Sequence, residues 1–305
     1  MRRSAGFSLL ELLVAIALGL FVVAMVVQGF AASAVAAGTG AAASEAQTNG
    51  RYALEVLKRE IRHAALNRLI WDQKQVVMAN ADLAARDFGC GAGFTTRVDT
   101  GISGSNDSNP FSGACLKSGA DRSWARGDIL ALRRTALEPA ATFDNGAPYI
   151  RASYGLAQVF AGEVTTVPPA APEPNFDSRL VSDVYYINAF TNSATESPRV
   201  PALYRMTLSR GANPVMTPEL VASNVENLQL QYGVTDGTGN TRYFNADGVA
   251  RWPDVKIVRL WLLIRESTPD PAIAAGSFPM GDITYAAEGT YRRTVLTTTI
   301  ALRNQ

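Results

Sequence analysis

Between Leu12 and Ser44 the chain has no Asp, Glu, Lys or Arg, a run of 33 residues. About 20 apolar residues as a helix cross a bilayer core, so the run is long enough to span one. Its first half is rich in Leu, Val, Ile and Phe; its second, "AASAVAAGTGAAAS", is weakly hydrophobic Ala, Gly and Ser. The pattern predicts a membrane span from about Phe7 to Phe30, with the helix continuing beyond it. Arg2 and Arg3 lie on one side, and the next positive charge is Arg51. Because basic flanks stay in the cytoplasm, the N-terminus is expected inside and the bulk of the chain outside.

Composition removes several function classes. The 305 residues are 47% apolar and 18% charged, enough to bury a large core. Lys+Arg 28 against Asp+Glu 27 leaves the chain near neutral, without the basic footprint that nucleic-acid binding needs. No nucleic acid is expected as a partner. One histidine, His63, and two cysteines, Cys90 and Cys115, restrict metal and nucleophile chemistry. His63 reads as a solvated helix residue among charges. No GxSxG, Walker or HExxH pattern is present, so no enzyme, cofactor or metal site is expected. The loops "DTGISGSNDSN" and "TDGTGNTRYFNADG" carry enough oxygens for calcium but miss the EF-hand spacing and read as turns. "GCGAGF" neither opens a helix nor follows a clear strand, so phosphate binding there is weakly supported. Arg292 and Arg293 read as charges at a strand end.

One acid, Glu11, sits at the start of the apolar run. A carboxylate in a spanning segment costs a few kcal/mol near the centre and less near the edge, and normally has a function and a partner. An ordinary secretory signal has a shorter apolar region with its small-residue cleavage site after it; here Gly6 precedes it. A plain signal anchor fits the length but leaves Glu11 unexplained. "GFSLLELLVA", behind the short basic leader, resembles the type IV prepilin signature: Gly6, Phe7 and, at the fifth position after the glycine, Glu11. The resemblance implies cleavage after Gly6 by a membrane prepilin peptidase and N-methylation of Phe7. Pairing Glu11 with the Phe7 amine of a neighbouring subunit would relieve two costly groups at once and set the register of packed helices. Ala15, Gly19 and Gly29 would let helices approach closely.

Beyond the apolar run, Leu54, Leu57, Ile61 and Ala64 recur at three and four, one face of an amphipathic helix, with a Glu55–Arg59 pair expected on the other. Gly38, Gly40 and Gly50, each costing roughly 1 kcal/mol in a helix, mark expected points of bending or unwinding. From about residue 70 the pattern becomes strand-like. "GDILALRR" (127–134), "SDVYYINAF" (182–190), "PALYRMTL" (201–208), "NLQLQY" (227–232), "VKIVRLWLLIRES" (255–267) and "YRRTVLTTTIALRN" (291–304) read as half-buried antiparallel strands. The proline-rich "VTTVPPAAPEPNF" (164–176) reads as a surface loop.

These segments, taken in order with "GRYALEVLKREIRHA" and the "ALRN" tail, resemble the PilW family of type IV pilus minor pilins. "AALNRLIWDQ" departs from the Gly-Tyr-rich stretch common after the first helix in that family. The implied fold is α+β and pilin-like. A leader spans 1–6; the N-terminal helix spans 7–66, membrane-spanning to about 30 and then amphipathic; an antiparallel β-rich periplasmic head spans 67–305. The implied role is assembly or priming of a pilus near its tip, from an inner-membrane precursor. Partners would be the prepilin peptidase, other minor pilins and the major pilin through the N-terminal helix, and a tip adhesin. A type II secretion pseudopilin and a membrane-anchored periplasmic binding domain are the alternatives. In an oxidising periplasm, Cys90 and Cys115 would close a 24-residue Gly/Ser/Asn-rich loop with little core of its own; two separate buried thiols are the other possibility.

Overall fold

The computed structural model describes residues 8–66, 76–78, 81–111, 115–116, 123–154, 156–163 and 174–303. Gly6 and Phe7, the Pro-rich stretch 164–173 and the helix exit 67–73 therefore lie outside the described residues. The chain divides into two compact units, Met1–Glu45 and Ala46–Gln305. A single helix, α1 (Leu9–His63), contributes to both. The unwinding expected at Gly38, Gly40 and Gly50 does not occur, since all three are helical. Good helix formers surround them, and the roughly 1 kcal/mol each glycine costs is small beside the cooperativity of a long helix.

In the first unit the apolar side chains of α1 point outward, with Phe21 60% and Phe30 74% exposed. Length and composition suffice for a membrane crossing.

The second unit is built on two sheets and the C-terminal part of α1. Its first sheet comprises, among the described residues, β1 (Val76–Met78), β2 (Ile102–Ser105), β3 (Arg126–Thr135), β4 (Pro148–Ser153), β5 (Leu156–Ala161), β6 (Phe176–Asn188), β7 (Ala202–Leu208) and β8 (Met216–Ser223). All pairings are antiparallel except β1 with β5. The 13-residue β6 organises this sheet. Its start pairs with β4, and its later part lies between β3 and β7, with Tyr185 opposite both Leu130 and Arg205. The second sheet runs β10 (Thr241–Phe244), β9 (Val225–Thr235), β11 (Val255–Arg265) and β14 (Arg293–Ala301), all antiparallel. A hairpin of β12 (Ser277–Met280) and β13 (Ile283–Ala286) completes the unit.

Alternation in β3 and β6 explains the layering. Leu130, Leu132, Tyr185 and Ile187 face a core shared with α1 and the second sheet. Their neighbours Ile129, Ala131, Val184 and Tyr186 face the opposite way, against Leu83, Phe88, Phe94, Val98 and Leu116. These central strands are thus buried on both faces, not half-buried as expected. Nor is the 83–116 segment coreless: it is the cover of the outer face. A short helix, α2 (Ala81–Ala85), lies in this cover. Its "GCGAGF" turn is closed by Asp87 Oδ1, which accepts the N–H of Gly89 at 2.6 Å and of Gly91 at 3.0 Å. A carboxylate of the chain itself occupies the amide cradle that a phosphate would use.

The α1 stripe expected from the sequence is confirmed and widened. Leu57, Ile61 and Ala64 are fully buried, Ala53 and Val56 join them, and Leu54 packs at the margin. At Gly50 the helix packs closely on the second sheet. A Cβ there would meet Ile264 Cγ1 at 2.7 Å and Leu296 Cδ1 at 3.2 Å. Its glycine therefore serves packing rather than bending. Gly50→Leu is expected to lower stability by about 1–3 kcal/mol through overpacking, read as a lower denaturant midpoint, whereas Gly40→Leu, in open space, should not. Equal effects of the two changes would remove the packing role.

Candidate assembly interface

The first turn of α1 contains the acid singled out by the sequence. The Ser8 backbone N–H donates to Glu11 Oε2 at 3.0 Å, and the Glu11 N–H donates to Ser8 Oγ at 3.2 Å. This is a reciprocal capping box, which satisfies two of the donors every helix start leaves open. The Ser-x-x-Glu spacing of Ser8 and Glu11 is its sequence signal. Glu11 thus has a partner on its own chain while the residue remains exposed. After it, Gly19 and Gly29 have nothing within 4 Å of a Cβ position. So much exposed apolar surface does not persist in water; lipid or other helices must cover it.

The rear of α1 is fastened to the head by polar groups as well as by the core. Asn49 Nδ2 donates to Ser223 Oγ at 2.8 Å and to Asn224 Oδ1 at 3.0 Å. Glu60 is buried, and Arg134 of β3 grips its Oε2 at 2.8 and 3.1 Å. Burial would raise the Glu60 carboxyl, but the charge and hydrogen bonds of Arg134, with help from Arg59, hold it below the usual carboxylate range. The expected Glu55–Arg59 pair is not the one formed. Glu55 instead pairs with Lys58 at 2.7 Å, and Arg59 turns to Glu60 at 3.1 Å, because the buried Glu60 is the stronger attractor.

Cys90 and Cys115 are disulfide-bonded, with Cα atoms 4.6 Å apart. The bond fastens the segment that covers the outer face of the first sheet. Arg133, reaching from β3 into this cover, donates to the carbonyls of Phe94 at 2.7 Å and Thr100 at 2.9 Å. It also stacks 4.2 Å from the Phe94 ring centroid. Burial pulls its pKa down to about 10. Cys90→Ser is expected to cost about 3 kcal/mol by loop-closure entropy, while the aromatic and Arg133 contacts hold part of the cover. Denaturant unfolding of the oxidised protein and the variant checks this; an unchanged midpoint would contradict it.

The two loops considered for calcium meet at Asp282. Asn106 Nδ2 donates to Asp282 Oδ2 at 3.3 Å, and Asn245 Nδ2 donates to the same oxygen at 2.6 Å. Beside them the buried Asp128 accepts the N–H of Asp107 at 3.0 Å and of Leu230 at 2.7 Å. Burial pushes the Asp128 carboxyl up to about 7, in spite of those donors. The groups form a hydrogen-bonded clasp between loops. Among the described residues no three His, Cys, Asp or Glu side chains are grouped to hold a metal ion. The polar face of "NLQLQY" joins this clasp: Asn227 and Gln229 are buried beside it, and Gln229 donates to Asp107 at 2.9 Å. His63 lies partly buried in a shallow cleft between α1 and Arg303.

Arg292 pairs with Asp270 at 2.9 Å on the surface, as a strand-end charge does. Arg293 does not: it is buried against Glu226, Nε to Oε2, at 2.5 Å. Nothing in the local pattern of "YRRTV" separates these two arginines; the difference arises from what β9 places opposite.

Residues 184–304 match the family described as Type IV Pilus-assembly protein W. Residues 1–27 match the prokaryotic N-terminal methylation motif. No curated protein and no solved structure matches the chain. The first match runs from the middle of β6 through β14 and so contains the whole second sheet, the one against which Gly50 packs. The second covers the capping box and the front of the apolar helix. Together they match a PilW-type minor pilin, a type IV pilus-related subunit, and both describe structural rather than catalytic segments.

Proposed function

We propose, from the chain's match to a PilW-type minor pilin, that it is a low-abundance subunit that helps other minor pilins prime a type IV pilus near its tip. In this reading a prepilin peptidase cuts after Gly6 and methylates Phe7. The front of α1 holds the precursor in the inner membrane with the head in the periplasm, and the same helix later packs among pilin helices in the fibre. The carrying observation is one helix with two surfaces: an outward-facing apolar front behind the methylation motif, and a rear half that is core to the head. Such a helix is suited to moving between lipid and a helical bundle without refolding the head. Glu11 would finish its own capping box and offer its exposed carboxylate to the Phe7 amine of a neighbour. The Thr-rich edge strand β14, with Thr294, Thr297 and Thr299 exposed, and the surface loops are suited to lateral contacts.

Gly6→Val tests the reading, because a β-branched side chain crowds the scissile bond. The variant is expected to stay in the membrane fraction at its unprocessed mass and to be missing from sheared filaments. Wild-type levels of the variant in filaments would refute it.

A further inference from the structure

The exposed face of the rear of α1 is set apart by charge. Arg51, Glu55, Arg59 and Arg62 follow one another at helical spacing on the surface, with Tyr52 beside them 57% exposed. Arg303, just beyond β14, comes over this face, and with Glu55, Lys58, Arg59, Arg62 and His63 it lines a shallow cavity of about 160 Å³; Arg51 and Tyr52 lie outside that cavity. The surface thus gathers five cations, Arg51, Lys58, Arg59, Arg62 and Arg303. Among the described residues two carboxylates pair with side chains of this surface: Glu55, held by Lys58, and Glu60, which is buried, meets Arg59 and is also held by Arg134. The whole chain carries a formal net charge of only +1, so this excess is concentrated rather than general.

We infer that this stripe is a docking surface for an acidic segment on a neighbouring protein subunit. The inference rests on the proposed pilin role and names the chemistry of one partner face. Arginine and tyrosine together are the side chains that most often anchor protein interfaces. The partner's carboxylates would meet guanidinium forks at the spacing of one helix face, a geometry suited to bidentate pairing. A nucleic-acid backbone fits worse. Glu55 interrupts the stripe and repels an unbroken run of phosphates, and the cavity is sized for one or two side-chain carboxylates rather than a duplex. Charge pairing at this rim sets orientation and rejects wrong partners more than it adds affinity, as suits a subunit that must enter an assembly in one order. Exposed pairs are screened over about 8 Å at physiological ionic strength, so docking is expected to weaken as salt rises.

The test places a photo-reactive benzoylphenylalanine at Tyr52 of the full-length chain in assembling cells. After irradiation the joined peptide is identified by mass spectrometry. The expected product is a protein segment rich in Asp and Glu, with a yield that falls in isolated membranes as NaCl increases. Arg59→Glu/Arg62→Glu in the same background is expected to cut the yield at least fivefold, and Arg210→Glu, at an exposed arginine elsewhere, to leave it unchanged. Arg51→Glu/Arg303→Glu repeats the reversal at exposed positions away from Glu60, so that loss of folding cannot mimic loss of docking; retention of the Cys90–Cys115 link checks the fold. Joining to nucleic acid, to lipid or to a neutral or basic segment, no joining at all, or a yield that neither reversal changes would overturn the inference. A chain that never enters filaments yet joins an acidic segment would defeat the pilin reading alone. Filament entry without such a product would defeat the docking surface alone.

Discussion

Arg293→Met is expected to lower the stability of the head by about 3–5 kcal/mol, the largest effect of any single change considered. Both partners of the Glu226–Arg293 pair are almost wholly removed from water, with side chains 3% and 1% exposed. Arg293 also donates to the carbonyls of Tyr291, at 3.1 Å, and Glu288. Methionine fills much of the volume but leaves a buried carboxylate and those carbonyls without their donor. Arg126, 3.7 Å from Glu226, and the Tyr285 hydroxyl, which donates to it at 3.2 Å, offset part of the loss. The cost should therefore fall toward the lower end of the range. Removing both partners, as Arg293→Met/Glu226→Leu, should recover much of it, because an apolar pair of similar volume has no charge to desolvate. Denaturant unfolding of the detergent-solubilised chain measures all three proteins. A single variant within about 0.5 kcal/mol of wild type would show that the pair does not hold β14 in place.

A second large effect is expected at Glu11, where the capping box sharpens the test. Glu11→Leu removes both a cap and a charge, so a loss of assembly would not say which one mattered. Glu11→Gln separates them, since glutamine completes a capping box as glutamate does but cannot neutralise an amine. If the carboxylate pairs with the Phe7 amine of a neighbour, Glu11→Gln should insert and be cleaved normally yet enter filaments at least tenfold less well. Tenfold is about 1.4 kcal/mol, well below the 3–5 kcal/mol of a fully buried pair, as befits a group near the membrane edge. The measurement is the ratio of subunit in sheared filaments to subunit in membranes. A ratio equal to wild type for Glu11→Gln, with Glu11→Leu impaired, would assign the residue to capping alone.

Much of the fold was legible because burial imposes periodicity. The uncharged run marked the front of α1, and Leu57, Ile61 and Ala64 marked its buried rear face. The segments at 127–134, 201–208, 227–232 and 255–267 fall on β3, β7, β9 and β11. What stayed hidden depends on partners distant in sequence. In "GDILALRR" the unbroken Ile-Leu-Ala-Leu run is the mark of a strand covered on both sides. Its second cover, however, comes from the 83–116 segment, whose Gly, Ser and Asn content suggested a loop. Gln229 and Asn227 look like a wet face and are buried: Gln229 donates to Asp107, distant in the chain, and to Asn227 beside it, while Asp128 takes the neighbouring Leu230 N–H. Gly50 looked like a weak point in a helix, and only Ile264 and Leu296 reveal it as a close approach. At the assembly site, the roles of Gly6, Phe7 and Glu11 are expected from the resemblance to the prepilin signature; Gly6 and Phe7 lie outside the described residues, and Glu11 sits in a capping box with Ser8. That Ser8 partner was missed.

The central claim is that this chain is processed after Gly6 and built into a filament through its N-terminal helix. Intact mass of the chain recovered from sheared filaments tests it most directly. The account predicts a species lacking Met1–Gly6, beginning at Phe7, one methyl group heavier than the bare cut product and two hydrogens lighter for the Cys90–Cys115 bond. A chain found only in membranes with Met1–Gly6 still attached would contradict it.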